Sequence, residues 1–371
     1  MRVVITGGGT GGHLFPALAI CECLKARRAE TPVLFVGAQG GVEAGILPRL
    51  GQAFRGLAVS AVKGKGRRRQ ALALLALPRT VREACGVLRE FRADVVLGVG
   101  GYASFPAVVA ATLLGTPRVI HEQNAIPGLA NRWLGRLASA IAVSFEASGP
   151  AFRGRPVVVT GSPVRAAIRP GDRPSARERL GLERDTFTVL VFGGSQGAHR
   201  LNTGLLEALP ELSRQRDRVQ FIHATGEKDL AEVRAAYERH RVRARVEPFF
   251  EDMASAYQAA DFAICRAGAG TVFELAAMGL PALLVPFPFA ANDHQRANAE
   301  ALVTAGAAWT VPDAYCDGRR IAATVAAALE KPALLSGMGA AAQTLARPDA
   351  AERVVDLLES VARRAGGPAG H

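Results

Sequence analysis

His13 follows "GGGTGG" (residues 7–12), so an ionisable ring stands at the end of a loop made almost entirely of bare backbone. A strand that turns through glycines into a helix offers unpaired N–H groups and the positive end of the helix dipole, a setting for phosphate. An imidazole beside it suits proton removal near neutral pH. Gly7, Gly9 and Gly12 also fit the G-x-G-x-x-G of dinucleotide sites. That chemistry asks for Asp or Glu at the end of the second strand to hold a ribose, and "VLFVGAQGG" (33–41) has neither. The plainer alternative for one such loop is a tight turn that needs glycine for geometry alone. Four glycine turns, at 7–12, 98–101, 193–197 and 268–270, favour a nucleotide or two-phosphate ligand. Thr271 and Glu274 form T-x-x-E ahead of an apolar run, which reads as a capping box. A carboxylate just beyond a glycine turn also suits the two hydroxyls of a ribose.

The elements that must hold these loops show as β-rich runs at 2–6, 33–36, 94–99, 117–120, 139–143, 157–160, 188–192, 219–223, 261–265 and 282–285, separated by helical patterns. Such alternation predicts parallel sheets with crossover helices. The 371 residues exceed one ordinary core and suggest two domains of about 150 to 200 residues each. The expected linker is "TGSPVRAAIRPGDRPSARERLG" (160–181), rich in Pro, Gly and Arg. The halves echo each other: "VVITGGGTGGH" (3–13) with "VLVFGGSQGAH" (189–199), and "DVVLGVGG" then "GTP" (94–117) with "DFAICRAGAG" then "GLP" (261–281). Two similar doubly wound domains would bind ligands at the carboxyl ends of their strands.

An apolar content of 49% describes a globular protein with ample core. No apolar stretch reaches the roughly 18 to 20 residues of a membrane span and no signal-peptide pattern opens the chain, so a cytoplasmic protein is expected. Cys21, Cys23, Cys85, Cys265 and Cys316 form neither a disulfide framework nor a zinc pattern and read as small core residues. A net charge of +12 attracts a polyanion: nucleic acid, an anionic lipid surface or a phosphorylated substrate. In "VKGKGRRRQALALLALPRTVREACGVLRE" (62–90), Leu74, Leu77, Val81, Cys85 and Leu88 fall on one inward helical stripe, with Leu72 and Leu75 outside it. Basic residues beside exposed leucines suit an anionic membrane surface, each contributing about 1 kcal/mol. The alternative is a solvated basic loop before a buried helix. Only 6% of residues are aromatic and none lies in the basic cluster, which argues against nucleic acid.

The stretches "GGGTGGHLFPALAI", "GVGGYASFPA", "HEQNAIPGLANRW", "GSPVR", "FGGSQGAHRLN" and "RAGAGTVFELAAMGLPALLVPFPFAANDHQRANA" together resemble the MurG family of cell-wall glycosyltransferases, in the same order and over most of the chain. The resemblance implies an α/β protein of the GT-B fold, two Rossmann-like doubly wound parallel-sheet domains facing a central cleft. Residues 1–162 would bind the acceptor and the membrane, 163–344 would bind UDP-GlcNAc, and a C-terminal helix, about 345–364, would pack back on the first domain. The implied activity is that of an inverting hexosyltransferase in peptidoglycan synthesis. It moves GlcNAc from UDP-GlcNAc to the C4 hydroxyl of undecaprenyl-pyrophosphoryl-MurNAc-pentapeptide, converting lipid I to lipid II.

Carried over by motif, Ser195 and Gln196 would meet the donor diphosphate, Glu274 the ribose and the backbone near Phe250 the uracil. His294, Gln295 and Asn298 would lie beside the transferred sugar, Arg165 would face it from the hinge, and Thr10, Gly11, Gly12 and Asn124 would also reach UDP-GlcNAc. The acceptor would rest on Gly8, Gly9, Gly100, Gly101 and Tyr102, with the glycines cradling its pyrophosphate. His13 would be the general base, capping or orienting the loop being its alternative role, and Glu122 the reserve candidate. Membrane contact would fall to Lys63, Lys65, Arg67, Arg68, Arg69, Leu72 and Leu75. No Asp-x-Asp and no metal-ligand spacing occur, so transfer without metal or other cofactor is expected, the helix after Gly197 taking the charge on UDP. The expected partners are UDP-GlcNAc, membrane-embedded lipid I, the anionic cytoplasmic face of the cytoplasmic membrane and other cell-wall synthesis proteins, with no nucleic acid. Three alternatives stand: a UDP-sugar transferase for another lipid or natural-product acceptor, a dinucleotide oxidoreductase, and a basic nucleotide-binding protein without catalysis.

Overall fold

The computed structural model describes residues 1–59, 67–194 and 197–366, with the backbone alone for 67–74. Lys63, Lys65, Ser195 and Gln196 lie outside the described residues, as do the side chains of Arg67, Arg68, Arg69 and Leu72. The chain divides into two units: Met1–Arg165 together with the segment from Arg347 onward, and Ala166–Ala346.

Unit 1 alternates strands and helices: β1 (Val3–Thr6), α1 (Gly11–Arg27), β2 (Val33–Ala38), α2 (Val42–Arg49), β3 (Phe54–Leu57), α3 (Arg67–Phe91), β4 (Val95–Gly98), α4 (Phe105–Leu113), β5 (Arg118–Glu122), α5 (Leu129–Leu134), β6 (Ala140–Val143) and β7 (Val157–Val159). Its seven strands run parallel in the order β3-β2-β1-β4-β5-β6-β7. In β1, the β-branched run VVIT is buried on both faces, with Val3 opposite Val33 on one side and Val95 on the other. Near-continuous apolar runs of this kind belong to strands covered by helices above and below.

Unit 2 repeats the plan: α6 (Arg173–Arg179), β8 (Phe187–Phe192), α7 (His199–Leu212), β9 (Val219–Ala224), α8 (Leu230–His240), β10 (Ala244–Glu247), α9 (Met253–Ala259), β11 (Phe262–Cys265), α10 (Ala269–Met278), β12 (Ala282–Leu284), α11 (His294–Thr304), β13 (Ala308–Thr310), α12 (Gly318–Glu330) and α13 (Pro332–Thr344). Its six parallel strands lie in the order β10-β9-β8-β11-β12-β13. Strand order reverses between β1 and β4 in unit 1 and between β8 and β11 in unit 2. Open α/β sheets bind ligands at these switch points, beyond the carboxyl ends of the strands.

Three strands have no apolar run to announce them: β3 (FRGL), β10 (ARVE) and β13 (AWT). Each closes a sheet edge, where one neighbour and a half-open face relax the need for apolar residues. The segment 160–181 is not wholly a linker either. Its α6 is anchored in unit 2 by buried Arg177, which pairs with Asp261 (2.5 Å) and donates to the Ala259 carbonyl (3.0 Å).

The last element, α14 (Ala350–Gly366), returns to unit 1. Val354, Val355, Leu358 and Val361 are buried in the cluster that also holds Val3, Ile5 and Leu14, and Arg27 of α1 pairs with Asp356 (2.6 Å). Burying each such side chain stabilises by about 1.5–3 kcal/mol. Together the four are worth on the order of the whole stability of a domain. Leu358→Ala is therefore expected to destabilise unit 1 by about 3 kcal/mol in urea unfolding. A chain ended before α14 should lose amide-exchange protection in β1 and β4, and undiminished protection would refute this account of the core.

Candidate active site

At the unit 1 switch point, the first three glycines after β1 turn their N–H groups inward. Gly7 donates to the Val36 carbonyl (3.3 Å), Gly8 to the Gly100 carbonyl (3.3 Å) and Gly9 to Glu43 Oε2 (2.9 Å). Glu43, buried on α2, accepts at its other oxygen from the Ala38 N–H (2.9 Å). A Cβ on Gly8 would lie 2.3 Å from the Glu43 carboxyl carbon, so glycine here makes room for a carboxylate. This corrects the view of all five glycines as a phosphate cradle, because the N–H groups of Gly8 and Gly9 are already engaged. The open donors begin later. Thr10 precedes α1 without a side-chain cap, and the N–H groups of Gly11 and Gly12 make no hydrogen bond among the described residues. They present an anion-ready helix end. Burial, and secondarily the Glu43 charge, raises the pKa of the Tyr102 hydroxyl, whose ring lies close to Gly9.

The loop after β4 supplies the facing wall. Gly100 and Gly101 adopt φ of 95° and 78°, and a Cβ on Gly100 would lie 3.0 Å from His13 Cε1. Glycine thus lets the His13 ring lie against this backbone. His13 Nδ1 is 3.1 Å from Gln123 Oε1. The neighbouring Glu122 is 1% exposed, and its carboxylate accepts from the Asn124 N–H (2.9 Å), Asn124 Nδ2 (3.1 Å), the Gly128 N–H (3.0 Å) and Asn131 Nδ2 (3.0 Å). Four donors leave it no lone pair turned toward a substrate. Glu122 therefore ties together the loop 122–131 and does not fit the reserve role of base.

In unit 2, Gly197 (φ 74°) packs so tightly that a Cβ would meet the Thr225 carbonyl, and α7 begins two residues later without a side-chain cap. Helix α10 starts at Ala269 behind Gly268, also without a side-chain cap. Thr271 and Glu274 therefore lie inside the helix, and the capping-box reading fails. Half-buried Glu274 instead accepts from the Tyr257 hydroxyl (2.7 Å), whose buried ring stands edge-on to Phe192.

Gln295 Oε1 accepts from the N–H groups of Ala267 (3.2 Å) and Phe287 (2.9 Å), while its Nε2 makes no hydrogen bond among the described residues. Asn298, one turn on, is fully buried and donates to the Ala267 carbonyl (3.2 Å). The expectation that Asn298 touches a sugar is corrected: its place on the inner face of α11 makes it a grip on the loop. His294 is partly exposed at the start of α11, its Nδ1 2.8 Å from the Ala291 carbonyl. Before it, Asn292 and Asp293 hold φ of 56° and 54°, consecutive left-handed residues of the kind that collects at functional sites. Phe250 is buried just ahead of α9, where Asp252 caps the Ser255 N–H (3.1 Å). Arg165 belongs to unit 1, its guanidinium 5.1 Å from the centre of the Phe15 ring and its buried Nε with no hydrogen-bond partner among the described residues.

Along α3, Val81 and Leu88 are buried, Leu77 and Cys85 half-buried, and Leu75 is 77% exposed. An open groove of about 550 Å³ between α3 and α4 is lined by Leu77, Val81, Phe105, Val109 and Leu113, with Arg82 and Arg89 at its margin. Among the described residues no single helix is long and apolar enough to cross a membrane, and no group of three His, Cys, Asp or Glu is arranged for a metal ion. Sequence reasoning missed Glu43, Tyr257 and Gln123. Glu43 stands two residues past the stretch 33–41 searched for a ribose-binding acid, and Gln123 lies within the quoted "HEQN" without a role of its own.

The glycosyltransferase family 28 N-terminal domain matches residues 3–143, and the glycosyltransferase family 28 C-terminal domain matches residues 188–354. A UDP-N-acetylglucosamine–N-acetylmuramyl-(pentapeptide) pyrophosphoryl-undecaprenol N-acetylglucosamine transferase of Syntrophus aciditrophicus is 46% identical over 98% of this chain and 99% of its own length. The crystal structure of Acinetobacter baumannii MurG, 32% identical, superposes with a TM-score of 0.72 over 97% of this chain and 99% of that one. The fold alone is shared with a UDP-GlcNAc 2-epimerase from Neisseria meningitidis bound to UDP-GlcNAc, 16% identical, with a TM-score of 0.67 over 97% of this chain and 100% of that one. Both units thus carry the family's domains, and the chain belongs to glycosyltransferase family 28 and, within it, to the MurG family.

Proposed function

We propose that this protein transfers GlcNAc from UDP-GlcNAc to the C4 hydroxyl of the N-acetylmuramyl pentapeptide carried on undecaprenyl pyrophosphate, with inversion at the sugar carbon. The observation that carries the reading is His13, held against the Gly100–Gly101 backbone beside an uncapped helix end, in a chain alike over nearly its full length to transferases of that name. The acceptor hydroxyl attacks the anomeric carbon as its proton passes to His13 Nε2. The bond from that carbon to UDP breaks, and its electron pair leaves with the diphosphate. The uncapped amino ends of α7 and α10 suit the charge that develops there, with Ser195 and Gln196 as the diphosphate contacts. Glu274, held by Tyr257, takes the ribose, the backbone near Phe250 takes the uracil, and Gln295 Nε2 and His294 face the sugar. The N–H groups of Gly11 and Gly12 and the loop at Gly100, Gly101 and Tyr102 take the acceptor's pyrophosphate.

Fixed dipoles suffice for the leaving group in this reading, so no metal is needed. The protein works peripherally on the cytoplasmic face of the membrane, with Leu75 and the groove between α3 and α4 entering the lipid and the basic residues of 63–69 meeting its anionic headgroups.

UDP release from UDP-GlcNAc should depend on a short-chain lipid-pyrophosphoryl-MurNAc-pentapeptide and fall by on the order of a hundredfold in His13→Ala. Release independent of that acceptor would sink the assignment. EDTA should leave the rate unchanged, and loss of activity restored by magnesium would overturn the metal-free step. Leu75→Glu should weaken cosedimentation with phosphatidylglycerol vesicles by about tenfold, the worth of one buried leucine, with activity on the short-chain acceptor preserved. Undiminished vesicle binding would place the membrane contact elsewhere.

A further inference from the structure

We infer that Gln123 is a positioning residue that fixes the neutral His13 ring as its Nδ1–H tautomer and leaves Nε2 bare for the substrate. Its catalytic consequence rests on the base reading above; the tautomer itself does not. Three contacts of one side-chain amide carry the argument: Gln123 Nε2 lies 2.8 Å from the Val99 carbonyl oxygen and 3.1 Å from His121 Nδ1, and Gln123 Oε1 lies 3.1 Å from His13 Nδ1.

The Val99 carbonyl decides the orientation. A backbone carbonyl only accepts, so the reversed amide would set two oxygens 2.8 Å apart with no hydrogen between them. The NH2 end therefore faces Val99, and Oε1 faces His13. An amide oxygen only accepts as well, so the hydrogen between them belongs to His13 Nδ1. In the neutral ring the lone pair then sits on Nε2, the nitrogen a general base needs.

The second amide hydrogen is directed at His121 Nδ1, which must accept it. His121 accordingly carries its hydrogen on Nε2, 3.3 Å from Ser144 Oγ. This asks His121 to stay neutral. It is fully buried, and burial lowers its pKa to about 4 against an opposing hydrogen bond to the Gly161 backbone, with the His13 charge adding to the lowering. The chain Ser144, His121, Gln123, His13 thus runs from the buried floor of β5 and β6 to the half-exposed ring. Each link has one permitted direction of donation. An Asp in the place of Gln123 would select the same tautomer but would also hold the ring in its protonated form. An amide selects the tautomer without that charge.

The test is a long-range 1H–15N spectrum of the full chain with 15N-labelled histidine, the His13 signals assigned by their loss in His13→Gln. Neutral His13 should show a protonated Nδ1 and a bare Nε2 in the wild type. Gln123→Leu should shift it toward the Nε2–H form and lower kcat by on the order of a hundredfold, without raising KM for UDP-GlcNAc. An Nε2–H ring in the wild type, or an unchanged ring in Gln123→Leu, overturns the inference. The wild-type spectrum decides the tautomer even if Gln123→Leu does not fold. Full activity of His13→Ala would sink the base reading and leave this spectroscopic result standing, so the two fail separately.

Discussion

A parallel sheet covered by helices on both faces has no room for chemistry except at the ends of its strands. Both units obey that constraint. Their central strands β1, β4 and β11 are buried along their length and β8 from its second residue on, and the loops that leave them are the places where backbone N–H groups and polar side chains meet solvent. The switch points follow from strand order alone. What happens there depends on which groups the loops leave unsatisfied.

In unit 1 two buried carboxylates do most of the loop building. Glu43 joins the ends of β1 and β2 through two backbone N–H groups, and Glu122 collects four donors from the loop beyond β5. A buried carboxylate is tolerable only with such donors, and removing it would strand them. The glycines at 7–9 are thus bare partly to admit Glu43. The donors left open are those of the first turn of α1, nearest His13. In unit 2 the corresponding work falls to Gln295 and Asn298, which grip Ala267 from both sides of its peptide and hold the loop after β11 in place.

The β-branched and apolar runs were legible as central strands, and the repeated strand–glycine–helix pattern as two doubly wound units. Pattern reading lost β3, β10 and β13 because an edge strand buries little and needs no apolar signature. Individual site residues were harder. A T-x-x-E spacing names a capping box, but Gly268 and Ala269 start the helix earlier and put Glu274 in its interior. The spacing of Gln295 and Asn298 shows two amides on one helix, whereas only packing shows that one is half-buried and the other fully buried. Glu43, Gln123 and Tyr257 act through partners that stand far from them in sequence, and no local motif records such pairings.

The position of α14 bears on how the molecule comes into being during translation. Unit 1 receives its first 165 residues early, yet part of its core arrives only with Val354 to Val361. At about 5–20 residues per second, synthesis of the intervening segment takes on the order of ten seconds or more. Through that interval the apolar face of α1 is made but uncovered, while unit 2, contiguous from Ala166 to Ala346, has all of its own core residues in hand first. The core of unit 2 is thus complete in the nascent chain before that of unit 1, the reverse of the order in which the two are begun. The half that holds His13 is completed last, and the nascent chain carries an unsealed surface that a ribosome-associated chaperone would be positioned to shield.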